Sequence, residues 1–354
     1  MIHRKLSYFR FFKSYFKPQQ KRDSHVMLFR RKVAGCLLLA ALGAIPLAGA
    51  AAPPSLSNRE ARAEFQAGKV REASEALEST LRQDPATADS ELLLARCYYE
   101  MGNWDRSAAD AEAAVRLKPS SAEGHLWLGR AYGREAERDR SLSLALKTRR
   151  EFEKAVDLAP ASIDARRDLM QFYLEAPWIV GGSNDKARKQ AEAIAALDPV
   201  EGSLARARFD QSTGRQAAAV EECRRVLDSK PTRVGPYLEV ADFYIARKDV
   251  TGLDAAVEGA ERVNPADARL NYYRGVARVL DGQRLAQAER DLKSYVAHSP
   301  RRDDPSRASA LSWLGQLYER WGESHLAMLE YQAALQLDPS VPLARQALAR
   351  LKGK

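Results

Sequence analysis

Histidine and cysteine, the side chains that most often build metal sites, are scarce in this chain, which has five and three of them among 354 residues. Beyond residue 52 the histidines are His125, His298 and His325, and none stands in a His-Glu-x-x-His or Cys/His ligand spacing. A Gly-x-Ser-x-Gly nucleophile elbow and a glycine-rich nucleotide loop are also missing from the sequence. The sequence therefore predicts no catalytic residue, no metal site and no cofactor, and we do not expect an enzyme.

Most of the chain also lacks an excess of positive or negative charge. The net charge is +9, but residues 1–32 hold ten basic residues and one acidic residue and so carry all of it. Residues 33–354 contain 46 basic and 46 acidic residues and are neutral. Because a nucleic-acid-binding domain presents a basic face, the sequence predicts no nucleic-acid partner.

The basic segment opens a predicted leader over residues 1–52. Arg30-Arg31-Lys32 is followed by an uncharged apolar run through residues 33–52, which ends in the small residues Ala48-Gly49-Ala50. This order of basic, apolar and small residues is typical of a secretory signal, and we place its cleavage after Ala50. Met27 itself begins a conventional signal, so residues 1–26 are either an extended basic region or not translated.

An uncleaved leader is the alternative, because about 20 apolar residues can span a bilayer. In both cases the basic side stays in the cytoplasm and the rest of the chain is exported. We therefore expect a periplasmic protein of a bacterium, or one anchored in the inner membrane and facing the periplasm. The membrane is then contacted only through the leader.

Prolines recur at a nearly regular interval beyond the leader, with a mean separation near 36 residues. The prolines in this series are Pro85, Pro119, Pro160, Pro199, Pro231, Pro265, Pro300 and Pro339. Since a proline cannot continue a helix, each one marks the end of a helix and the start of the next. We read eight repeated units over residues 54–341, starting near residues 54, 88, 122, 163, 200, 234, 268 and 308, and a capping helix over residues 342–354.

The last unit carries the clearest signature: Trp313-Leu314-Gly315, then Tyr318, Ala327 and Tyr331, before Pro339. This pattern resembles the tetratricopeptide repeat, a helix-turn-helix of 34 residues. The resemblance implies an all-α fold, a right-handed superhelical solenoid of such repeats with a C-terminal capping helix. It also implies that small residues let the paired helices approach closely. Cys97 and Cys223 then lie three units apart, too far for a disulfide, and are expected to be buried and unpaired.

Two units depart from the pattern. The third has extra residues at 135–143, which we expect to lengthen both of its helices. The fourth contains a loop at 176–187, in which Trp178 and Ile179 are expected to pack against the next unit. The alternative for this loop is that the amides of Gly181-Gly182 hold an anion at a helix N-terminus.

In tetratricopeptide repeats the first helix of each unit lines a concave groove. By this resemblance, the candidate partner-binding residues are Arg96, Tyr99, Arg130, Arg134, Gln171, Tyr272 and Gln316. Arginine and tyrosine are enriched at binding hot spots. We therefore expect the N-terminal half of the groove to hold a protein or peptide segment of some acidic character.

The functional prediction follows from the resemblance and the leader together. It is a non-enzymatic scaffold or adaptor for protein–protein interaction in the bacterial cell envelope. The alternative is an anchored inner-membrane subunit that recruits a periplasmic enzyme or an export machine. This step rests on analogy, because a fold by itself does not specify a function.

Overall fold

The computed structural model describes residues 56–83, 86–298 and 304–352. The predicted leader, residues 1–52, lies outside the described residues. The described residues form seventeen α-helices, a single 3₁₀ turn at Trp178–Val180 and no strand. The α-helices are α1 Leu56–Gln66, α2 Val70–Gln83, α3 Ala88–Glu100, α4 Trp104–Leu117, α5 Ala122–Asp139, α6 Leu142–Leu158, α7 Ile163–Glu175, α8 Asn184–Leu197, α9 Pro199–Ser212, α10 Gln216–Asp228, α11 Val234–Arg247, α12 Val250–Val263, α13 Leu270–Asp281, α14 Leu285–Ala297, α15 Arg307–Arg320, α16 Ser324–Leu337 and α17 Pro342–Lys352.

The first sixteen helices form eight hairpins, which are the repeated units, and α17 packs on the last of them. The first helix of each hairpin begins within two residues of the unit start read from the proline series. The structure thus confirms the predicted fold class, an all-α helical repeat solenoid. Within the described residues, no helix is both long and apolar enough to cross a membrane.

Polar side chains cap several of the first helices of the units. The Oγ of Ser121 accepts a hydrogen bond from the backbone amide of Gly124 at 3.0 Å, at the start of α5. Asp198 accepts from the amides of Val200 and Glu201 at the start of α9, where a proline occupies the first turn. These side chains satisfy amides that have no partner inside the helix. The prolines of the sequence series that the structure describes, from Pro119 to Pro265 and Pro339, therefore lie at the boundaries between helices.

Helices of one hairpin pack closely where the sequence places glycine. A Cβ atom on Gly129 would lie 2.6 Å from the ring of Phe152, and one on Gly315 would lie 2.6 Å from the ring of Tyr331. Both aromatic side chains are completely buried. The glycines therefore let an aromatic side chain of the second helix lie directly on the backbone of the first.

The two departures from the repeat pattern have different outcomes. The third unit has long helices, α5 with 18 residues and α6 with 17, as expected. The prediction that Trp178 and Ile179 pack against the next unit is wrong, because these side chains are 78% and 49% exposed. Val180 is buried in their place, and Arg149 Nη1 donates a hydrogen bond to its carbonyl oxygen at 3.0 Å. This contact joins the loop to α6 of the preceding unit and leaves the two larger side chains outside.

The loop amides are also used within the chain. Those of Gly181, Gly182 and Ser183 donate to the carbonyl oxygens of Trp178, Pro177 and Tyr173 at 2.9 to 3.0 Å. Amides that already donate internally are not free to surround an anion, so the loop geometry does not favour the anion-binding alternative.

Cys97 and Cys223 are buried and unpaired, as predicted. Burial raises the pKa of each thiol to about 12. Both therefore act as small apolar side chains of the core at neutral pH.

Candidate partner-binding groove

The first helices of the units lie on the inner side of the solenoid. At most junctions the first helices of neighbouring units contact each other, whereas the second helices do so far less. A stack whose elements are closer on one side curves toward that side. The exposed faces of α1, α3, α5, α7, α9, α11, α13 and α15 therefore form a concave surface, which we call the groove.

At the N-terminal end of the groove, Arg96 lies between two aromatic rings. Its guanidinium carbon is 4.9 Å from the ring centre of Phe65 and 5.3 Å from that of Trp127. Its Nη1 donates to Glu123 at 3.2 Å, while its buried Nε has no hydrogen-bond partner among the described residues. Burial lowers the pKa of Arg96, and nearby arginines add to that effect. Arg96 is thus a partly buried cation between two aromatic rings, and its Nε donor is unused.

Arg130, one unit farther on, is paired with a buried acid. Its Nε donates to Oδ2 of Asp168 at 2.5 Å, and its guanidinium stacks 4.6 Å from the ring centre of Trp127. The side chains of Arg130 and Asp168 are 16% and 2% exposed. Burial raises the pKa of Asp168, and the positive charge of Arg130 opposes that shift. The pair joins α5 to α7 and therefore holds adjacent units together.

Tyr99 and Arg134 contact each other across the second and third units. Arg134 Nε donates to the hydroxyl oxygen of Tyr99 at 3.2 Å, and its Nη1 lies 3.2 Å from Glu137. Tyr99 is 3% exposed, and its ring packs edge-to-face on Trp127 at 5.4 Å. Tyr99 therefore supports the groove wall and offers little surface to a partner.

A small cleft lies in the middle of the groove, between α7, α9 and α11. Its lining residues combine both charges with apolar groups: Arg167, Asp168, Met170, Gln171, Leu204, Ala205, Arg208 and Glu239. Arg167 is paired with Glu201 and lies 3.3 Å from Glu239. Ion pairs therefore cross the cleft from one unit to the next.

Arg208 differs from the other groove arginines at this cleft. Its Nη1 donates to the amide oxygen of Gln171 at 3.3 Å, and Gln171 in turn donates to Glu175. Within the part of the chain that the structure describes, no carboxylate lies within ion-pair distance of Arg208. The side chain is partly exposed. A neutral amide satisfies one donor but leaves the charge of Arg208 without a counter-ion.

Models of the tetratricopeptide repeat match residues 58–121, 92–138 and 308–341 of the chain. This chain is a tetratricopeptide-repeat (TPR) protein. Its fold is that of a protein-interaction scaffold. A search of curated protein sequences finds no significant match.

Solved structures show the same fold at low sequence identity. Human IFIT1, as a dimer with PPP-AAAA, has 16% identity and a TM-score of 0.52, over 83% of this chain and 71% of that chain. A TPR protein from Parabacteroides merdae has 13% identity and a TM-score of 0.45, over 84% of this chain and 98% of that chain. At this identity, the match to IFIT1 shows a shared fold and nothing about partners.

The remaining predicted groove residues of the TPR protein lie apart from the cleft. Tyr272 is buried, and its hydroxyl contacts the Oγ of Ser309 at 2.8 Å and accepts from Nε1 of Trp313 at 3.2 Å. It therefore joins the last two units. Gln316 is half-buried on α15. The structure thus places the predicted residues along the whole groove and does not gather them into one site.

Arg208 was missed by the sequence prediction, although a signal for it exists. It stands eight residues after the start of its unit, as do Arg96 and Arg130 in theirs. That periodicity marks it as a groove position. What sets it apart from those two is that no carboxylate of the described chain lies within ion-pair distance of it, which depends on the packing of α9 against its neighbours.

Among the described residues, no group of three or more His, Cys, Asp or Glu side chains could hold a metal ion. The acidic side chains of the groove are instead placed against arginines. Positive and negative side chains therefore lie next to each other along the groove.

Proposed function

We propose that this TPR protein is a non-enzymatic scaffold that holds an extended partner segment in its groove, with an acidic side chain of the partner paired to Arg208. The observation that supports this proposal is the difference between Arg208 and three other groove arginines, Arg96, Arg130 and Arg167. Arg96, Arg130 and Arg167 each have a carboxylate neighbour, and Arg208 has a neutral amide. A carboxylate at Arg208 would gain a charge-assisted hydrogen bond without breaking an existing ion pair.

The rest of the cleft suits a peptide. Leu204 and Ala205 contribute apolar groups to its lining, while Gln171 and Glu239 contribute polar groups. Extended chains alternate the direction of successive side chains, so an acidic residue at Arg208 leaves its neighbours free to contact the apolar lining.

The N-terminal half of the groove also offers a cation to an acidic partner segment. Arg96 keeps one unused donor beside two aromatic rings, and its ion pair with Glu123 is partly exposed. A partly exposed pair is worth little and exchanges partners readily. Arg130 contributes in a different way, since its buried pairing with Asp168 shapes the wall.

The cell envelope is the proposed location, supported by the signal-like order of residues 1–52. We keep the alternative of an anchored subunit that recruits a periplasmic enzyme or an export machine. Fractionation of native cells and the N-terminal peptide of the mature protein separate the two, because cleavage after Ala50 removes the anchor. Recovery of the protein only in the cytoplasm would reject both.

The binding proposal is tested with random peptides of about 12 residues, enough to cross about four units when extended. Peptides selected on the native protein are then measured by fluorescence polarisation against Arg208→Glu. We expect selected sequences to be rich in Asp and Glu, and the variant to bind them at least about tenfold more weakly, since a charge-assisted hydrogen bond is worth about 1.5 kcal/mol or more.

Lys189→Glu is the matched control, because it reverses one exposed charge on α8, outside the groove. It should bind the selected peptides as the native protein does. Equal loss in both variants would mean that net charge, and not the groove, attracts the peptides. Selection of peptides without acidic enrichment would refute the role given to Arg208.

A further inference from the structure

One position of the first helices can be followed through all eight units, because it comes directly after a buried residue in each of them. In units three and eight that buried residue is the glycine under an aromatic ring, so Arg130 follows Gly129 and Gln316 follows Gly315. We call the residues at this position the ladder. In units one to five they are Arg62, Arg96, Arg130, Gln171 and Arg208.

The ladder is basic only in its first part. Four of its first five residues are arginine, whereas the last three, Asp242, Val276 and Gln316, include no basic residue. Gln171 and Arg208 line the cleft, so the ladder faces the groove. The ladder therefore favours acidic side chains of a partner over units one to five and offers them no cation beyond.

The ladder arginines differ in their acidic neighbours. Arg96 and Arg130 each have a carboxylate within ion-pair distance. Across residues 56–83, 86–298 and 304–352, no carboxylate lies within that distance of Arg62 or Arg208. Arg62 is exposed and Arg208 is partly exposed. The first and the last of the four arginines therefore present a charge to solvent without a counter-ion.

The charge of Arg62 acts on Arg96 in the neighbouring unit. Phe65, one turn after Arg62 on α1, has its ring centre 4.9 Å from the guanidinium carbon of Arg96. Burial lowers the pKa of Arg96, and the positive charge of Arg62 adds to that effect. Glu123, whose side chain is 56% exposed, and Glu100 oppose it. A partner carboxylate between the two arginines would relieve their repulsion and accept charge-assisted hydrogen bonds from them.

The distance between ladder positions follows from one shared ring. The guanidinium carbons of Arg96 and Arg130 lie 5.3 and 4.6 Å from the ring centre of Trp127, so they are at most about 10 Å apart, close to the spacing of packed helices. Arg62 and Arg208 are four units apart, which gives a path of about 32 to 40 Å along the groove. A segment in extended conformation covers that path with about 10 to 12 residues.

We propose that the partner segment carries two acidic anchors about 10 to 12 residues apart, the first held by Arg62 with Arg96 and the second by Arg208. This inference rests on the proposed function, to which it adds a second contact and a spacing. Between the anchors, Arg130 stays in its buried pair and Gln171 is neutral, so the middle of the segment needs no acid. Two anchors on one segment strengthen each other, because binding at one raises the local concentration of the other.

Selection from random peptides of about 18 residues, long enough to hold both anchors, tests the proposal. We expect the selected sequences to carry two groups of Asp or Glu about 10 to 12 residues apart. Fluorescence polarisation then compares the native protein with Arg62→Gln and Arg208→Gln. Each variant should bind a selected peptide about tenfold more weakly. After one acidic group of the peptide is changed to Asn or Gln, only one of the two variants should still differ from the native protein, because the other arginine has lost its contact.

The matched control is Arg71→Gln, which removes an exposed charge from α2, the second helix of unit one. It should bind the selected peptides as the native protein does, and Arg62→Gln should leave thermal unfolding unchanged because Arg62 is exposed. Binding that depends on Arg208 but not on Arg62 would overturn the Arg62 anchor and leave the proposed function in place. Binding that depends on neither arginine would reject both. Selected peptides without two spaced acidic groups, or equal weakening by Arg71→Gln, would also overturn the inference.

Discussion

Removing the guanidinium of Arg130 should unfold this protein more readily, and a second substitution at Asp168 should reverse part of the damage. Arg130 and Asp168 are almost fully shielded from solvent, with side chains 16% and 2% exposed, and a 2.5 Å hydrogen bond joins them. Arg130→Met keeps most of the side-chain volume but leaves the Asp168 carboxylate buried without a counter-ion. Loss of one partner of a buried pair lowers the free energy of unfolding by about 3 to 5 kcal/mol.

Replacement of both partners has a smaller effect, because no buried charge remains. Arg130→Met/Asp168→Asn should therefore be more stable than Arg130→Met alone, with a net loss of about 1 to 2 kcal/mol relative to the native chain. Urea unfolding followed by circular dichroism measures all three proteins. Hydrogen exchange in α5 and α7 checks that the loss is local to the junction that the pair joins.

The dependence on pH gives a second readout. In Arg130→Met the folded state keeps a carboxyl whose pKa is raised above its unfolded value of 3.8. Such a group favours folding when protonated, so the free energy of unfolding falls as pH rises above the unfolded pKa. The deficit of Arg130→Met should be larger at about pH 8 than at about pH 5. A deficit below about 1 kcal/mol, or no rescue by Asp168→Asn, would refute the assignment of a buried structural pair.

Two further substitutions test the packing of the hairpins. Burial raises the pKa of Asp110 to about 7, and its Oδ2 has no hydrogen-bond partner among the described residues. The native chain thus loses stability as pH rises from the unfolded pKa to about 7, and Asp110→Asn should stabilise it by about 1 kcal/mol at about pH 8 and hardly at all at about pH 4. Equal effects at both pH values in urea unfolding would contradict the shift. Gly129→Ala places a Cβ 2.6 Å from the Phe152 ring, so the thermal midpoint should fall, with a loss of about 1 to 3 kcal/mol; an unchanged midpoint would mean that the hairpin opens at no cost.

The helical hairpins were predictable because their signals are local. A proline, a serine or aspartate cap and a glycine each act within one turn of helix. The unit starts read from the proline series therefore lie within two residues of the observed first helices. The close approach at Gly129 and Gly315 followed from the same repeat signature.

The groove chemistry was not predictable in the same way. The sequence identifies Arg96, Arg130 and Arg134 as groove cations, but the acidic neighbours of the first two come from other helices. Glu123 and Asp168 reach Arg96 and Arg130 across a unit boundary. The ion pair of Arg130 spans 38 residues of sequence. No local sequence pattern indicates which arginine has no carboxylate within ion-pair distance. Arg208 was identified only from the packing of the helices.

The fourth-unit loop shows the same limit. Trp178 and Ile179 are large and apolar, and composition alone predicts their burial. The loop instead closes through backbone hydrogen bonds and the contact of Arg149 with Val180. Which apolar side chain of a short loop is buried depends on the direction that the closed backbone gives it.

The sequence by itself determined that this protein is a stack of helical hairpins, because the repeat recurs through short-range turn and packing signals. It also determined that residues 33–354 are neutral, with the excess charge confined to residues 1–32. Only the tertiary structure decided which charges remain available in the groove and which apolar side chains remain on the surface. Ion pairing and burial are properties of residues brought together from distant positions, so the availability of Arg208 became visible only when the units were packed.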